Sequence, residues 1–163
     1  GGDAILFYLL TYLFANLGAF AVVIMVSNET QKEGIDDLAG LNRRSPLAAF
    51  AMLLFLLSLA GVPPLAGFMA KVYVFAAAVE QGLFLLVSVG FINVVISFYY
   101  YLIVVKKMYA VEPVEVTPIP VPISLRFVLY TGIIGVLWLG IWPKSFIEFS
   151  TAATTVFTQL TIR

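Results

Sequence analysis

The sequence contains no cysteine and no histidine among its 163 residues, and charged residues make up only 11% of it. Without these two residue types the chain can form no disulfide, and it lacks the usual ligands of zinc, haem iron and iron–sulfur clusters. Catalysis by a histidine base is excluded as well. The formal net charge is zero, which argues against a nucleic-acid-binding protein. Any proton chemistry must therefore use lysines and carboxylates.

Apolar residues are what the sequence has in excess. They make up 62% of the chain, and its mean hydropathy is +1.05. Soluble domains are about half apolar and about a quarter charged, and a soluble fold of this size keeps roughly a third of its surface in water. The composition therefore predicts an all-α integral membrane protein in a lipid bilayer, with residues 1–163 in a single membrane domain. Because the chain starts at Gly1 without a methionine, we expect it to be a piece of a longer protein.

Four apolar stretches alternate with polar loops along the chain. The first, at 4–26, carries no charged residue and would reach roughly 35 Å as a helix, enough to cross a hydrocarbon core of about 30 Å. The others lie at 46–80, 83–105 and 125–142. After them, apolar side chains at helical spacing over 145–160 predict an amphipathic helix along the membrane surface. We therefore expect four transmembrane spans and a further interfacial helix.

The stretch 46–80 is too long for one straight crossing and too short for two. As one helix it would reach about 52 Å, and as two crossings each arm would have only about 15 residues. The basic residues separate these alternatives. With a single crossing, the loops 27–45 and 106–124 lie on one side of the membrane, together with most of the lysines and arginines: Lys32, Arg43, Arg44, Lys106, Lys107 and Arg126. Such a bias is the positive-inside pattern, so we predict one discontinuous span, with these loops on the negative side of the membrane.

The interruption of this span is predicted at 61–67, where the sequence reads Gly-Val-Pro-Pro-Leu-Ala-Gly. Pro63 and Pro64 lack an N–H and their rings clash with the preceding helical turn, while Gly61 and Gly67 permit non-helical dihedral angles. Main-chain polar groups freed at this depth must face protein or water rather than lipid. Broken helices of this kind form ion and proton sites in transporters, and a proline kink that only shapes helix packing is the simpler alternative.

Lys71 is the only charged residue well inside a predicted span. An ammonium group at the bilayer centre costs about 3 kcal/mol, so a lysine kept there is a candidate functional residue. Burial disfavours its charged form and a neighbouring carboxylate favours it, so a lysine between these influences can act as a proton relay. The alternative is a lysine permanently paired with a carboxylate on a helix outside this chain. The polar side chains that could support a relay are few: Ser58, Tyr73, Asn93 and Ser97.

The residues around the break carry a resemblance to a known family. The stretch Ser58–Phe68 (Ser-Leu-Ala-Gly-Val-Pro-Pro-Leu-Ala-Gly-Phe), followed by Lys71–Tyr73, resembles a broken helix of the antiporter-like membrane subunits of respiratory complex I. Asp37–Leu41 before it and the triple tyrosine Tyr99–Tyr101 after it are similar to the subunit called N in bacteria and subunit 2 in mitochondria and chloroplasts. The resemblance extends from about Tyr8 to Tyr109, is strongest in the middle of that range, and implies the C-terminal part of such a subunit.

This resemblance implies a non-redox membrane subunit of a proton-pumping NADH, NAD(P)H or ferredoxin:quinone oxidoreductase. Lys71 would match a lysine in the chain of charged groups along the membrane midplane that is thought to relay protons. Its partners would be other membrane subunits of the complex, and NADH, FMN, iron–sulfur clusters and quinone would belong to other subunits. The membrane would be a bacterial plasma membrane, a thylakoid membrane or a mitochondrial inner membrane.

Two other functions fit the same residues. Subunits of multisubunit cation/proton antiporters share the core Pro-Pro-Leu-x-Gly-Phe-x-x-Lys, and a structural membrane scaffold would need only the spans and a permanently paired Lys71. The sequence shows no nucleophile–base pair, phosphate-binding loop or metal-ligand cluster. An active site within this chain is therefore not expected under any of the three hypotheses.

Overall fold

The computed structural model describes residues 2–144, 146 and 148, which form a bundle of helices. In chain order these are α1 (Gly2–Thr30), a 3-10 helix (Ile35–Leu38), α2 (Leu41–Arg44), α3 (Pro46–Ala60), α4 (Ala66–Glu80), α5 (Phe84–Ala110) and α6 (Ile123–Ile141). The described residues contain no β-strand, which confirms the all-α fold class predicted from the sequence. The amphipathic helix predicted at 145–160 falls almost entirely outside the described residues.

Among the described residues, three helices are long and apolar enough to cross a membrane, namely α1, α5 and α6. They contain the apolar stretches 4–26, 83–105 and 125–142 apart from a residue or so at their ends. Helix α1 continues beyond its apolar run to Thr30, whose hydroxyl donates a hydrogen bond to the carbonyl of Val26 at 2.9 Å. Helix α1 is therefore longer than its apolar residues alone indicate.

The stretch 46–80 forms two helices of 15 residues each, α3 and α4, with residues 61–65 between them. The interruption is shorter than the predicted 61–67, because Ala66 and Gly67 already lie in the first turn of α4. The main-chain N–H of Gly67 finds an acceptor on α3, as described below, so the helix can begin before the second glycine.

Small residues let α1, α3 and α6 approach one another closely. Phe55 of α3 is fully buried, and its ring occupies the space that side chains would need on the two neighbouring helices. A Cβ atom on Gly18 of α1 or Gly132 of α6 would lie 2.3 Å or 2.8 Å from this ring. Close packing at glycine is a typical source of stability between membrane helices. Helix α5 lies apart from this core, against α3 and α4, and none of its most apolar stretch is buried.

The two long polar connections meet at one end of the bundle, here called the loop end and defined as residues 31–45 and 107–122. The main-chain N–H of Ile119 donates to the carbonyl of Arg44 at 2.9 Å. The guanidinium of Arg44, a buried side chain, donates through Nε to the carbonyl of Thr117 at 3.1 Å. The link between α5 and α6 is thereby fixed against the link between α1 and α3.

Candidate functional site

Helix α3 ends in a turn that uses glycine. Gly61 adopts the left-handed conformation with φ 87°, and its N–H donates to the carbonyl of Ser58 at 3.0 Å. The N–H of Val62 donates to the carbonyl of Leu57, also at 3.0 Å. This pair of hydrogen bonds is the Schellman arrangement, which satisfies two of the four carbonyls left over at a helix C-terminus. Two further carbonyls, those of Leu59 and Ala60, remain to be satisfied.

Lys71 satisfies both of them. Its side chain extends from α4 back to the end of α3, and Nζ donates to the carbonyl of Leu59 at 2.7 Å and to that of Ala60 at 3.0 Å. The half-buried lysine has no ion pair within the described part of the chain. The C-terminal end of a helix carries partial negative charge, so it stabilises an ammonium group without a carboxylate. The lysine therefore satisfies the free carbonyls at the end of α3, and these carbonyls in turn hold its ammonium group.

The start of α4 is held against α3 by Ser58. This side chain is fully buried, and its Oγ accepts a hydrogen bond from the N–H of Gly67 at 3.1 Å. The two backbones touch here, because a Cβ on Gly67 would lie 1.8 Å from the carbonyl oxygen of Ser58. On the other side, Gly140 of α6 packs on the break, where a Cβ would lie 2.1 Å from the carbonyl oxygen of Pro64. Backbone contact on both sides fixes the position from which Lys71 projects.

A small cavity of about 20 Å³ lies between α1 and the break. Lys71 and Ser58 line it from the broken helix, and Thr11 lines it from α1. A second, larger cavity of about 350 Å³ also borders the lysine and extends to α5. Asn93 and Ser97 line this larger cavity. Lys71 is therefore in contact with both spaces, one between tightly packed helices and one beneath the peripheral helix.

Tyrosines contribute much of the wall around Lys71. Tyr8 and Tyr12 of α1 line both cavities, and Tyr101 of α5 lines the larger one. Together with Asn93 and Ser97 they give the larger cavity a mixed polar and apolar lining. Hydroxyl and amide groups of this kind can donate to and accept from water. The larger cavity thus offers hydrogen-bonding partners from α1 and α5 beside the lysine.

The structure places most, but not all, of the predicted site residues together. Gly61, Gly67, Ser58, Asn93 and Ser97 all contact Lys71 or a cavity that it lines. Pro63 and Pro64 lie in the break itself, between α3 and α4, and are exposed. Tyr73 lines neither of these cavities. Instead, the ring of Tyr73 packs edge-on against Phe7, with centroids 5.6 Å apart. Within the described residues, Tyr73 neither forms a hydrogen bond with Lys71 nor shares a cavity with it, so the expectation that it supports the lysine gains no support.

Several groups at the site were not predicted from the sequence. The carbonyls of Leu59 and Ala60 belong to the main chain, so no residue type marks them. Tyr8, Thr11 and Tyr12, however, share one face of α1 at spacings of three and four residues. A polar stripe at helical spacing in an otherwise apolar span was the signal that could have identified them.

Comparison with protein families gives a match over the first part of the chain. A family model described as "NADH:quinone oxidoreductase/Mrp antiporter, TM" matches residues 1–97. This range includes α1, the broken helix, Lys71 and the polar residues of α5 that line the larger cavity.

Individual relatives match over nearly the whole chain. The chain is 45% identical to NADH-quinone oxidoreductase subunit N of Paramagnetospirillum magneticum over 157 residues, which are 96% of this chain and 32% of that protein. It is 43% identical to the protein of the same name from Desulfitobacterium hafniense, over 95% of this chain and 31% of that one. The resemblance to subunit N predicted from the broken helix is confirmed. The chain spans about a third of the length of these relatives.

The fold is also similar to a solved structure. A chain in the structure of respiratory complex I from Thermus thermophilus with bound aureothin matches with a TM-score of 0.79 and 34% sequence identity. The match covers 91% of this chain and 34% of the other. The helix arrangement described above is therefore shared with about a third of a larger chain.

Proposed function

Because the chain belongs to the membrane-protein family described as NADH:quinone oxidoreductase/Mrp antiporter, we propose that it is part of a proton-pumping NADH:quinone oxidoreductase, in which Lys71 relays protons. The observation that carries this proposal is the position of the Lys71 ammonium group. It is held by two main-chain carbonyls at a helix break, and it lies beside a cavity with a mixed polar and apolar lining. The chain itself would hold no redox centre, and electron carriers and quinone would reside in other subunits.

The proposed membrane arrangement has four spans, with α3 and α4 forming one discontinuous crossing. Helix α3 begins at Pro46, next to the loop end, and α5 returns to the loop end at Ala110. Helices α3 and α4 therefore cover the length of the bundle once between them. The helix break then falls near mid-membrane, where exposed main-chain groups must be satisfied by protein or water. The hydrogen bonds to Lys71 and Ser58 meet this requirement.

The loop end is proposed to face the negative side of the membrane. It carries basic residues from both long connections, and the hydrogen bond between Ile119 and Arg44 keeps those connections on one side. The opposite turn, at 81–83, has no lysine or arginine. An excess of basic residues in the loops of one side is the pattern that sets membrane orientation. The membrane would be a bacterial plasma membrane, a thylakoid membrane or a mitochondrial inner membrane.

The geometry suggests which proton moves. An ammonium group has three N–H donors, and two of those on Lys71 are engaged by the carbonyls of Leu59 and Ala60. The neutral amine left after deprotonation keeps two N–H groups and gains a lone pair. Both carbonyl bonds can therefore persist in either protonation state, and the third proton is the one that leaves to water and returns. The site needs no rearrangement of the helix break when the charge changes.

The larger cavity is proposed as the route for that proton. Its volume of about 350 Å³ has room for several water molecules. Asn93, Ser97 and Tyr101 would hold these waters from α5, and Tyr8 and Tyr12 would hold them from α1. The neighbours that pass protons to and from this cavity would be other membrane subunits of the complex, or parts of the same protein beyond this chain.

Two alternatives make different predictions. The family description also covers Mrp antiporters, in which the same lysine would couple cation and proton movement. The relatives compared above favour the oxidoreductase, because both carry its name. In the scaffold alternative, a carboxylate on a helix outside this chain would pair permanently with Nζ, in addition to the two carbonyls that the described residues provide.

The test is the substitution Lys71→Met in the full protein within its assembled complex, with proton uptake into vesicles and electron transfer to quinone measured together. Methionine keeps most of the length and removes the charge. Proton uptake should fall by at least about tenfold, since a relay without a titratable group cannot pass the proton. Lys106→Met is the matched control, because it removes an exposed lysine at the loop-side end of α5.

Each result of this experiment has a definite meaning. Loss of proton uptake in the Lys71→Met complex, with Lys106→Met unaffected, supports the relay. Normal uptake and electron transfer in an assembled Lys71→Met complex would contradict it and favour the scaffold. Proton uptake that depends on Na⁺ and not on electron transfer would favour the antiporter.

A further inference from the structure

The hydroxyl of Thr11 is buried and has no partner in the part of the chain that the structure describes. The residue is 3% exposed, and Oγ1 forms no hydrogen bond. Two other hydroxyls on the helices of this protein bond to the carbonyl four residues earlier. Ser88 donates to Phe84 at 2.9 Å, and Thr30 donates to Val26 at 2.9 Å. Thr11 does not use this local bond, although it is available to a helical threonine.

The small cavity beside Thr11 is the size of one water molecule. Its volume is about 20 Å³, and a cavity needs roughly 10–15 Å³ on this measure to hold one water. Thr11, Lys71 and Ser58 all line it, so a water there would have polar groups on several sides. Buried polar groups in proteins are satisfied by protein or by ordered water, and dry cavities are apolar. This cavity therefore has both the volume and the partners that an ordered water requires.

We propose that one ordered water occupies this cavity and joins Thr11 Oγ1 to the third hydrogen-bonding position of Lys71 Nζ. Thr11 is then a positioning residue for the proton relay. This inference rests on the proposed function of Lys71, because it concerns how that lysine is held in its two protonation states. The water adds a partner from α1 to the two carbonyls that α3 supplies.

A hydroxyl group suits this position because it can both donate and accept. When Lys71 is charged, its third N–H donates to the water, and the water donates to Thr11 Oγ1. When Lys71 is neutral, its lone pair accepts from the water, and the water accepts from the Thr11 O–H. The third proton of Nζ passes first to this water and then towards the larger cavity, because Tyr8 and Tyr12 line both spaces. The two hydrogen bonds reverse once that proton has gone. The same three groups can therefore stabilise both states of the relay.

The experiment compares two substitutions in the assembled complex. Thr11→Val keeps the shape of the side chain and removes the hydroxyl, whereas Thr11→Ser keeps the hydroxyl and removes a methyl group. Coupled proton uptake should become about threefold to tenfold slower in Thr11→Val, as expected for the loss of one hydrogen bond in the relay. Thr11→Ser should stay close to the unmodified complex. Ser88→Ala serves as a control, because it removes a hydroxyl from α5 that bonds only within its own helix.

A direct measurement accompanies the rates. A high-resolution cryo-EM map of the unmodified complex should show a water within hydrogen-bonding distance of Thr11 Oγ1 and Lys71 Nζ, and the Thr11→Val map should lack it. A loss of uptake in Thr11→Val that Thr11→Ser does not share supports the positioning role, because helix packing alone would not distinguish the hydroxyl.

Two results would overturn the inference. One is a map of the unmodified complex without water in this cavity, and the other is unchanged proton uptake in Thr11→Val. Both are distinguishable from failure of the proposed function, which shows as normal uptake in Lys71→Met whatever the map contains. If Lys71→Met stops uptake and Thr11→Val does not, the relay stands and the role of Thr11 is wrong.

Discussion

Cations at the loop end and the cation at the helix break are held by different kinds of partner. At the loop end, Arg43 pairs with Glu112 at 3.2 Å, and Lys107 pairs with Asp36. The Arg43 and Glu112 side chains are 62% and 82% exposed. At the break, Lys71 is half-buried and bonded to neutral main-chain carbonyls. Arg43 and Lys107 thus have carboxylate partners, and Lys71 has none among the residues that the structure describes.

The type of partner affects whether a lysine can release its proton. Exposed ion pairs contribute only about 0–1 kcal/mol, because water screens them and competes for both partners. A buried pair with a carboxylate would hold a lysine charged, and removing its proton would leave an uncompensated anion. Carbonyl groups bind the ammonium without this penalty. The partners of Lys71 are therefore compatible with a proton that leaves and returns.

Arg44 sharpens the contrast, since it is also buried and bonded to a main-chain carbonyl. An arginine cannot lose its proton under physiological conditions, so this arrangement at the loop end can only be structural. Lys71 has the same kind of partner and a group that can titrate. Under the proposed function, a relay therefore needs both a neutral partner and a side chain that can titrate, and Arg44 has only the first.

The largest expected effect is on the break itself, in Gly67→Ala. The new Cβ would lie 1.8 Å from the carbonyl oxygen of Ser58, and backbone on both sides cannot move aside cheaply. We expect a loss of about 3 kcal/mol or more in stability, and less assembled complex in the membrane. The measurement is the thermal denaturation temperature of the purified complex and its yield.

Gly90→Ala on α5 is the matched control for that substitution. A Cβ at Gly90 meets only the ring of Phe75, at 2.9 Å, and a side chain on the bundle edge can turn away. Alanine also favours a helix over glycine by up to about 1 kcal/mol. Stability should therefore be unchanged or slightly higher. If both variants lost the same stability, the helix break would tolerate a new Cβ as well as α5 does. That result would contradict the close backbone contact at Gly67.

The next largest effect is expected for Ser58→Ala. This change leaves the buried N–H of Gly67 without its acceptor, at a cost of about 1–3 kcal/mol. Because the hydrogen bond joins the two halves of the broken helix, proton uptake should also fall. Ser88→Ala, which removes an exposed hydroxyl, should change stability by less than about 0.5 kcal/mol. Unchanged stability in Ser58→Ala would show that water replaces the hydroxyl at the break.

Much of this arrangement was predictable from the sequence, for identifiable reasons. Long apolar runs indicated α1, α5 and α6, since the bilayer fixes the length that a span needs. The prolines and glycines indicated a break, because their effects on the main chain are local. Lys71 stood out as a charge inside an apolar stretch. These predictions needed only composition and spacing along one helix.

The partners of Lys71 were not predictable in the same way. Its contacts are main-chain carbonyls, which every residue carries, and only the geometry of the turn after Gly61 determines which of them are free. Thr11 comes from another helix, and its position beside the lysine depends on how α1 packs against α4. Tyr73, close to Lys71 in sequence, points to Phe7 instead. Neighbours across helices depend on packing that a single sequence does not specify.

The smallest effects are expected at the loop end, where Arg44→Met and Arg43→Met form a pair. Arg44→Met removes the bond from Nε to the Thr117 carbonyl, and should cost about 1 kcal/mol, because water can reach the exposed Thr117 and replace part of the interaction. Arg43→Met breaks an exposed ion pair and should cost less than about 0.5 kcal/mol. Thermal denaturation of the complex measures both.

Proton uptake should be normal in each variant, because neither side chain reaches the cavities beside Lys71. A loss of uptake in Arg44→Met with assembly intact would mean that the loop end takes part in proton movement. The distinction between a structural Arg44 and a proton-relaying Lys71 would then be wrong.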